Sequence, residues 1–398
     1  MLIRYGIDKA GKRYERARIY TLEEHRISRQ KIDKEALIIT DRLQREGYHA
    51  YIVGGAVRDL LIGKTPKDFD ITTDAQPKKV RRLFWNSRII GRRFRLVHVH
   101  FKDGKIIEVS TFRSNEPGAD NNDFGTLEED VERRDFSINA LYYDPKKEYV
   151  YDFVSAMKDV RSKRMRSLLP LETTFQDDPV RMIRAVKYAA AGQFSIPFGL
   201  RKAIRKNAGE LENISSSRMT EEVFKVLEGG SSAAIIRLAE QYGLLPFMIP
   251  SLLEEISGIG GKKAFREFLS LLDELDKRIA GAGEPLSRGE LIQRIFGPYL
   301  RLPGDEGYDQ LFKTAFRGFK GLLSPLTPPN LDVENAVKLL FDERGIVKEK
   351  KKKKKRRRRK RTKKAPSEEG TRLQEESVQA PASGSDSSDT GSSGSSGS

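Results

Sequence analysis

Residues 52–71 read Ile-Val-Gly-Gly-Ala-Val-Arg-Asp-Leu-Leu-Ile-Gly-Lys-Thr-Pro-Lys-Asp-Phe-Asp-Ile, and the rest of the chain can be interpreted from this stretch. The apolar run Ala50–Val53 predicts a buried strand, and Ala56–Leu61 predicts a short helix soon after it. Gly54 and Gly55 stand between the two elements. Adjacent glycines allow backbone amides to approach a phosphate closely, with the start of the helix directed at it.

The second half of the stretch carries two acidic residues separated by one position. Residues 68–71 predict a second strand, on which Asp68 and Asp70 face one side while Phe69 and Ile71 face the core. Two neighbouring carboxylates repel each other unless a cation neutralises them, and a site made of oxygen ligands suits Mg²⁺. A single Gly-Gly or Asp-x-Asp is common in turns and solvated loops, so it is their order that indicates phosphate chemistry.

Composition restricts the class of protein. The chain has 398 residues, enough for two or three domains, and contains no cysteine. The lack of cysteine excludes disulfides, thiolate metal sites and a cysteine nucleophile, and it suits a reducing cytoplasm. The sequence shows no signal peptide and no apolar run long enough to span a bilayer, so we expect no membrane partner.

Positive charge is concentrated in one tract. The formal net charge is +17, and residues 350–364 hold 14 Lys or Arg and no acid. Such a tract binds phosphate backbones without reading sequence, although a merely solvated, self-repelling run has the same composition. Because a phosphate-handling site lies upstream, nucleic acid is the favoured partner.

The remaining patterns divide the chain into four parts. Residues 1–30 are polar and charged and predict an irregular leader. Residues 31–165 mix helical and strand patterns, whereas residues 166–345 alternate helical stretches with short turns. Residues 346–398 combine the basic tract with a Ser/Gly-rich end that cannot form a core, and they are predicted to be disordered. The expected fold class is therefore α+β, with a mixed head and an all-α body.

Two further motifs of the head carry chemistry. Glu108 alternates with apolar residues on a predicted strand, so it is either an ordinary exposed residue or, beside the aspartate strand, a third metal carboxylate. The run Arg133–Leu141 contains Arg134, Asp135 and Asn139, which suit pairing with phosphate and ribose. An ion pair that caps a helix explains the same arginine and aspartate equally well. Asp135 is a second candidate for the third carboxylate.

The first helix of the body begins with an acid and an arginine three positions apart. Asp178 suits a helix cap, Pro179 a first helical position and Gly192 a C-terminal stop. Asp178 and Arg181 lie on one face of this helix. A capping pair explains that spacing, and an acceptor and donor that read a nucleobase edge would need the same spacing.

Two features of residues 85–100 are assigned to packing. Trp85, the only tryptophan, ends a predicted helix and is expected to pack rather than to stack on a base. His98 and His100 alternate on a predicted strand, where a structural role is favoured over a zinc site.

The order of these motifs resembles that of the nucleotidyltransferase superfamily that includes DNA polymerase β. Residues 25–192 are similar to bacterial poly(A) polymerases, in the branch shared with bacterial CCA-adding enzymes. The run Ile89–Val99 and the basic tract are similar to the poly(A) polymerase version. The matching runs are Gly54–Asp59, Gly63–Thr73, Glu108–Arg113, Phe124–Asp130, Arg133–Leu141 and Asp178–Ala185.

The resemblance implies a polymerase-β-like head that transfers AMP from ATP to RNA 3′-hydroxyl ends without a template, with two Mg²⁺ ions. It implies that Asp68 and Asp70 bind the metals, with Glu108 or Asp135 as a further catalytic carboxylate. The implied nucleotide-binding residues are Gly54, Gly55, Arg58, Arg134, Asn139, Asp178 and Arg181.

The charge of the basic tract predicts that it acts as a flexible RNA tether, with Lys350, Arg356 and Lys364 among its cations. Two alternatives stay open: a CCA-adding enzyme, which uses CTP and stops after three nucleotides, and a catalytically silent RNA-binding protein. The chain departs from the family pattern at two positions. Asp177 stands where the family usually has Glu, which shortens an acid near the base, and Ala156 replaces a common glycine in a neighbouring turn.

Overall fold

A computed structural model describes residues 2–7, 13–91, 96–114, 124–281, 286–304 and 306–348. The strands in these ranges are β1 (Leu2–Ile7), β2 (Arg13–Tyr20), β3 (Ala50–Val53), β4 (Asp70–Thr73), β5 (Ser87–Ile90), β6 (Leu96–His100), β7 (Ile106–Thr111), β8 (Leu141–Asp144) and β9 (Tyr149–Asp152).

The α-helices in these ranges begin with α1 (Leu22–His25), α2 (Lys34–Arg45), α3 (Gly55–Leu61), α4 (Pro77–Leu83), α5 (Leu127–Glu132), α6 (Ala156–Arg161), α7 (Thr174–Asp177), α8 (Val180–Gly192) and α9 (Phe198–Asn207). They continue with α10 (Ser216–Leu227), α11 (Ser232–Gln241), α12 (Leu245–Met248), α13 (Pro250–Gly260), α14 (Lys262–Ala280), α15 (Arg288–Phe296), α16 (Tyr308–Leu323) and α17 (Asn330–Glu343).

The nine strands form one sheet in the order β1-β2-β9-β8-β3-β4-β7-β6-β5. Neighbouring strands are antiparallel except β4 and β7, which run parallel. The predicted strand at Ala50–Val53 is confirmed, and the predicted helix after it begins one residue early, at Gly55. The α+β fold class is confirmed as well.

The prediction that residues 1–30 are an irregular leader is wrong. β1 and β2 form an antiparallel hairpin, and β2 extends the sheet against β9, with Ile19 opposite Tyr151. Ala17 and Ile19 are buried and alternate with charged residues, which is the period-two pattern of a half-buried strand. The charged positions of the segment concealed this short apolar alternation.

The second strand of the opening motif is shorter than predicted. β4 begins at Asp70, so Asp68 lies in the segment before the strand, whereas Phe69 and Ile71 are buried as expected. Asp70 pairs with Val53, the last residue of β3. Because the chain turns away after Val53, β3 offers Asp68 no partner.

The two faces of the sheet are covered differently. On one face, Ile71 and Val109 are buried in the main core, against which α2 and α4 pack. On the other face, Tyr51 and Tyr142 pack with Val131 of α5 in a smaller core. Since α5 covers only part of this second face, polar residues of β4 and β7 on the same face can line an open cleft.

Trp85 does not pack in the core, contrary to prediction. α4 ends at Leu83, and the buried Phe84 fills the space beside the helix end. Trp85 follows Phe84 directly and is 85% exposed. Two consecutive residues of extended chain point in opposite directions, so the core accommodates the first ring and not the second.

The predicted all-α body is confirmed for the described residues after Asp152, where only isolated bridges accompany the helices. Head and body share the main core, which extends into α17 at Phe341. The domain boundary at residue 165 therefore stays a prediction. The tract with Lys350, Arg356 and Lys364 lies outside the described residues, as does most of the predicted disordered segment. No described helix combines the length and the apolar character needed to cross a membrane.

Candidate active site

The Gly54-Gly55 turn brings together groups from three segments of the sequence. Gly54 adopts φ 69° and ψ −132°, a conformation that is essentially restricted to glycine. A Cβ atom on Gly54 would lie 3.7 Å from Arg134 Nη1 and 3.8 Å from Asp70 Oδ2. The turn, a carboxylate and a guanidinium are therefore in close proximity.

Asp70 places a negative charge in surroundings that disfavour it. Burial, followed by the negative charges of Glu108 and Asp68, raises the pKa of Asp70 to about 6, although Arg134 acts in the opposite direction. The residue is nevertheless open to solvent, because its carboxylate faces the cleft. Glu108 is its neighbour across the sheet, since the next residues, Ile71 and Val109, are paired.

The carboxylates of Asp68, Asp70 and Glu108 fit a divalent cation in charge and donor type. Their mutual repulsion contributes to the raised pKa of Asp70, and a cation would remove it. All of the donors are oxygens, which Mg²⁺ prefers. Within the described ranges, no three His, Cys, Asp or Glu side chains form a ready metal-binding group. The fit therefore rests on charge and on donor chemistry.

Glu108 also has a partner on the side away from Asp70. His98 lies opposite it on β6, and His98 Nε2 is 3.2 Å from Glu108 Oε1. This contact agrees with the structural role expected for His98.

A cleft of about 470 Å³ opens at the Gly54 turn, between the sheet and α8. Asp68, Glu108 and Arg58 lie beside this cleft and are not part of its lining. The lining residues that the sequence had indicated are Gly54, Gly55, Asp70, Arg134, Asp135, Asn139, Asp178 and Arg181.

Arg134 is held in place by three described partners. Its Nε donates to Tyr142 Oη at 2.7 Å, its Nη2 to Asp130 Oδ2 at 3.2 Å, and its Nη1 to the Asn139 carbonyl at 3.1 Å. Tyr142 Oη in turn donates to Asp130 Oδ2 at 2.7 Å. Burial disfavours the Arg134 cation, but Tyr142 and Asp130 outweigh burial and raise its pKa. The guanidinium therefore faces the cleft with a fixed orientation.

Asp135 and Asn139 belong to a second network on the other side of the cleft. Asp135 Oδ2 is 3.0 Å from Arg184 Nη2 of α8. Arg58 Nη1 donates to Asn139 Oδ1 at 2.8 Å, and its guanidinium carbon lies 4.7 Å from the centre of the Tyr188 ring. Arg58 therefore orients the side-chain amide of Asn139 without itself lining the cleft. The structure places Asp135 with Arg184, whereas Glu108 and Asp68 are the carboxylates that act on Asp70.

Asp178 lies just before α8, and its ion-pair partner comes from another helix. The N-cap of α8 is Pro179, where Asp178 was predicted as the cap and Pro179 as the first helical residue. Asp178 Oδ1 accepts a hydrogen bond from the Val180 backbone at 3.3 Å. Asp178 Oδ2 lies 2.8 Å from Arg218 Nη2 of α10. Arg181 Nη1 donates instead to the Thr174 carbonyl at 2.9 Å, and burial lowers the pKa of Arg181. Both side chains reach the cleft.

The two departures from the family pattern have different surroundings. Asp177 lines the cleft beside Asp178. Ala156 is buried, and its backbone donates to Asp152 Oδ1 at 2.8 Å. The left-handed residue of that turn is Ser155, with φ 58°, so alanine at 156 is not strained.

Several lining residues had not been assigned from the sequence. Arg184 follows Arg181 by three positions on one helical face, a spacing that could have indicated it. Arg218 carried no signal, because it lies on a different helix from the carboxylate it contacts. The other lining residues missed are Ser110, Arg113, Asp130 and Tyr188, whereas Arg133 opens the run that the sequence had indicated.

Comparison with known proteins shows similarity to poly(A) polymerases. A family model described as "Poly A polymerase head domain" matches residues 50–166. A second model, described as "Probable RNA and SrmB- binding site of polymerase A", matches residues 193–256. Poly(A) polymerase I of Salmonella typhi is 40% identical over 273 residues, which are 65% of this chain and 58% of that relative. The chain thus spans less than two thirds of that relative's length.

The chain is also similar to a CC-adding and to a CCA-adding enzyme. The CC-adding tRNA nucleotidyltransferase of Halalkalibacterium halodurans is 32% identical over 66% of this chain and 70% of its own length. The crystal structure of the Bacillus stearothermophilus CCA-adding enzyme in complex with CTP is 27% identical and has a TM-score of 0.52, covering 78% of this chain and 82% of that one. The chain therefore belongs to the nucleotidyltransferase family that comprises the poly(A) polymerases and the CCA-adding enzymes.

Proposed function

We propose that this chain transfers AMP from ATP to the 3′-hydroxyl of RNA without a template and releases pyrophosphate. The observation that carries the proposal is the convergence of the Gly54 turn, Asp70 and Arg134 at one end of the cleft. The similarity to poly(A) polymerase I, at 40% identity, supports adenylation over CCA addition.

Asp68, Asp70 and Glu108 would hold two Mg²⁺ ions. When bound, such ions would lower the pKa of the attacking hydroxyl and neutralise charge on the triphosphate. Asp135 is left out of this set because Arg184 already neutralises it at 3.0 Å.

The chain's own residues would bind and orient the nucleotide. The backbone amides of Gly54 and Gly55, with the fixed guanidinium of Arg134, offer donors to phosphate oxygens. Asn139, held by Arg58, would bind the ribose. Asp178 and Arg181, an acceptor and a donor on α8, would contact the base.

One assay separates this function from its alternatives. The purified chain is incubated with Mg²⁺ and each NTP separately, on an unstructured RNA and on a tRNA that lacks its CCA end. Long ladders with ATP alone are expected. CTP incorporation that stops within three nucleotides on the tRNA would instead identify a CCA-adding enzyme. No product with any NTP would support a silent RNA-binding protein.

The carboxylate assignment has its own test. Asp70→Asn is expected to retain the fold and to reduce the rate of AMP transfer to less than a tenth, because it removes a proposed metal ligand. Asp74→Asn is the matched control, since Asp74 lies just after the same strand and accepts a hydrogen bond from the His49 backbone, outside the cleft. Equal rates for the two variants would refute the role of Asp70.

The basic tract supports an RNA tether that raises the local concentration of RNA without taking part in chemistry. Truncation after Lys348 should raise KM for RNA and flatten its salt dependence, with kcat and the KM for ATP unchanged. The cut is placed there because Lys348 Nζ still pairs with Asp309 at 2.6 Å. The same RNA KM and salt slope for both forms would show that the tract does not bind substrate.

A further inference from the structure

Trp85 lies in a setting that favours a ligand over packing. It is the only tryptophan of the chain, and 85% of it is exposed. An indole ring is a large apolar surface to leave in water, and exposed tryptophans are common where a ligand covers the ring. The proposed function makes no use of this residue.

Basic residues precede Trp85 on α4. Lys78, Arg81 and Arg82 are exposed on this helix, whereas Val80 is buried. Arg81 Nη1 donates to the carbonyl of Phe84 at 3.4 Å, so the guanidinium reaches the residue that directly precedes Trp85.

Acidic residues are absent from this part of the chain. In the sequence, none occurs between Asp74 and Asp103. We name Lys78, Arg81, Arg82 and Trp85 the Trp85 surface.

The sheet register relates the Trp85 surface to the cleft. Arg88 of β5 lies opposite His98 of β6, and His98 lies opposite Glu108 of β7, which neighbours Asp70 of β4. Trp85 precedes Arg88 by three residues, so it lies toward the Asp70 end of the sheet. α4 packs on the face of the sheet opposite the cleft, and β5 is the edge strand of the sheet. Three strand spacings of about 4.8 Å separate β5 from β4, roughly 15 Å in all. A strand of RNA with its 3′ end in the cleft can extend to this edge and pass around it to Trp85.

We propose that the Trp85 surface binds single-stranded RNA upstream of the 3′ end, with a base stacked on the indole and phosphates paired with the cations of α4. The inference rests on the proposed function for its choice of RNA. Stacking on an aromatic ring beside cations is how proteins bind single strands without sequence preference, because every base has a flat face. An acidic protein partner would satisfy the cations but would leave the exposed ring unexplained.

The single tryptophan makes binding directly observable. Intrinsic fluorescence of the full chain is titrated with oligo(A) without NTP, while anisotropy of labelled oligo(A) measures occupancy. We expect quenching of Trp85 that saturates with the same Kd as the anisotropy. An abasic oligomer of equal length should bind the cations and cause much less quenching, because it has no base to stack.

Variants test the two parts of the surface separately. Trp85→Leu should weaken oligo(A) binding by 5-fold or more, as expected for the loss of one base stack. Lys78→Gln with Arg82→Gln should lower the slope of log K against log salt by about 1.4, from two lost phosphate contacts on a single strand. The matched control is Lys262→Gln with Lys263→Gln, two exposed lysines of α14, which should leave the quenching unchanged.

Unchanged fluorescence at full occupancy, or equal affinity of Trp85→Leu and wild type, would overturn the proposal. Quenching by an acidic polypeptide, with none by oligo(A), would overturn it in favour of a protein partner. The outcome is independent of catalysis. Quenching in a chain that extends no RNA would leave this inference standing and refute the proposed function. RNA extension without quenching would support the proposed function and overturn this inference.

Discussion

Tyr142 and Tyr143 are adjacent, fully buried tyrosines of β8 whose hydroxyls differ in one respect. Tyr142 Oη makes two hydrogen bonds of 2.7 Å, one from Arg134 Nε and one to Asp130 Oδ2. Tyr143 Oη has no hydrogen-bond partner among the described residues. Replacing each tyrosine with phenylalanine therefore removes one hydroxyl oxygen from the same strand. Only the Tyr142 replacement also removes hydrogen bonds.

Tyr142→Phe should lower the free energy of unfolding by about 3 kcal/mol. A hydrogen bond to a charged group contributes about 1.5–3 kcal/mol, and loss of the hydroxyl leaves the buried Arg134 and Asp130 less well paired. Two such hydrogen bonds are lost, but Arg134 Nη2 keeps its contact with Asp130 at 3.2 Å. The loss of stability is therefore smaller than the sum of the two hydrogen-bond contributions. Tyr143→Phe should be neutral or slightly stabilising, because it removes an unsatisfied buried hydroxyl.

Urea unfolding followed by far-UV circular dichroism measures both variants, and we expect the midpoint of Tyr142→Phe to fall by roughly 1 M. Activity gives a second readout. Tyr142→Phe should also raise KM for ATP, because Arg134 loses the partner that orients it beside the Gly54 turn, and Tyr143→Phe should not. Equal midpoints and equal KM values for the two variants would refute the claim that Tyr142 orients Arg134.

Further predictions concern backbone strain and pH. Gly54→Ala should lose activity beyond its loss of stability, because the strain of a side chain at φ 69° would shift the turn that lies beside Arg134 and Asp70. Gly63→Ala (φ 80°) is strained in open space and should lose only stability, and equal activity of the two variants in the transfer assay would contradict this. Burial lowers the pKa of His25, whose Nδ1 accepts from a backbone N–H. Below about pH 6.5 the unfolded chain binds a proton at His25 that the native state resists, so the stability of the protein should fall as pH drops. Urea midpoints measured at pH 7.5 and 5.5 should show this fall for the wild type and not for His25→Asn.

The sequence by itself determined the chemistry-bearing core of the head. Strand, Gly-Gly turn and helix are decided by residues adjacent along the chain, through burial of Ala50–Val53 and the conformational freedom of Gly54. The contact of Asp178 with the start of α8 was predictable for the same reason, since Asp178 and the Val180 amide that donates to it are two residues apart. The helical body likewise followed from local periodicity.

Short strands at the edges were not predictable with the same success. The hairpin of β1 and β2 carries its apolar residues at few positions, and its stability depends on β9, which is more than a hundred residues away. The start of β4 at Asp70 likewise depends on where β3 ends. In both cases the partner strand, and not local propensity, sets the limits of the element.

Contacts between distant segments were decided by the tertiary structure alone. The parallel pairing of β4 and β7 places Glu108 beside Asp70. The packing of α8 against the head brings Arg184 within ion-pair distance of Asp135. Arg218 reaches Asp178 only because α10 packs on α8. Each pairing requires a particular approach of two elements, and the energy that selects it comes from burying the apolar faces beneath them. The charged residues themselves therefore could not reveal their partners in the sequence.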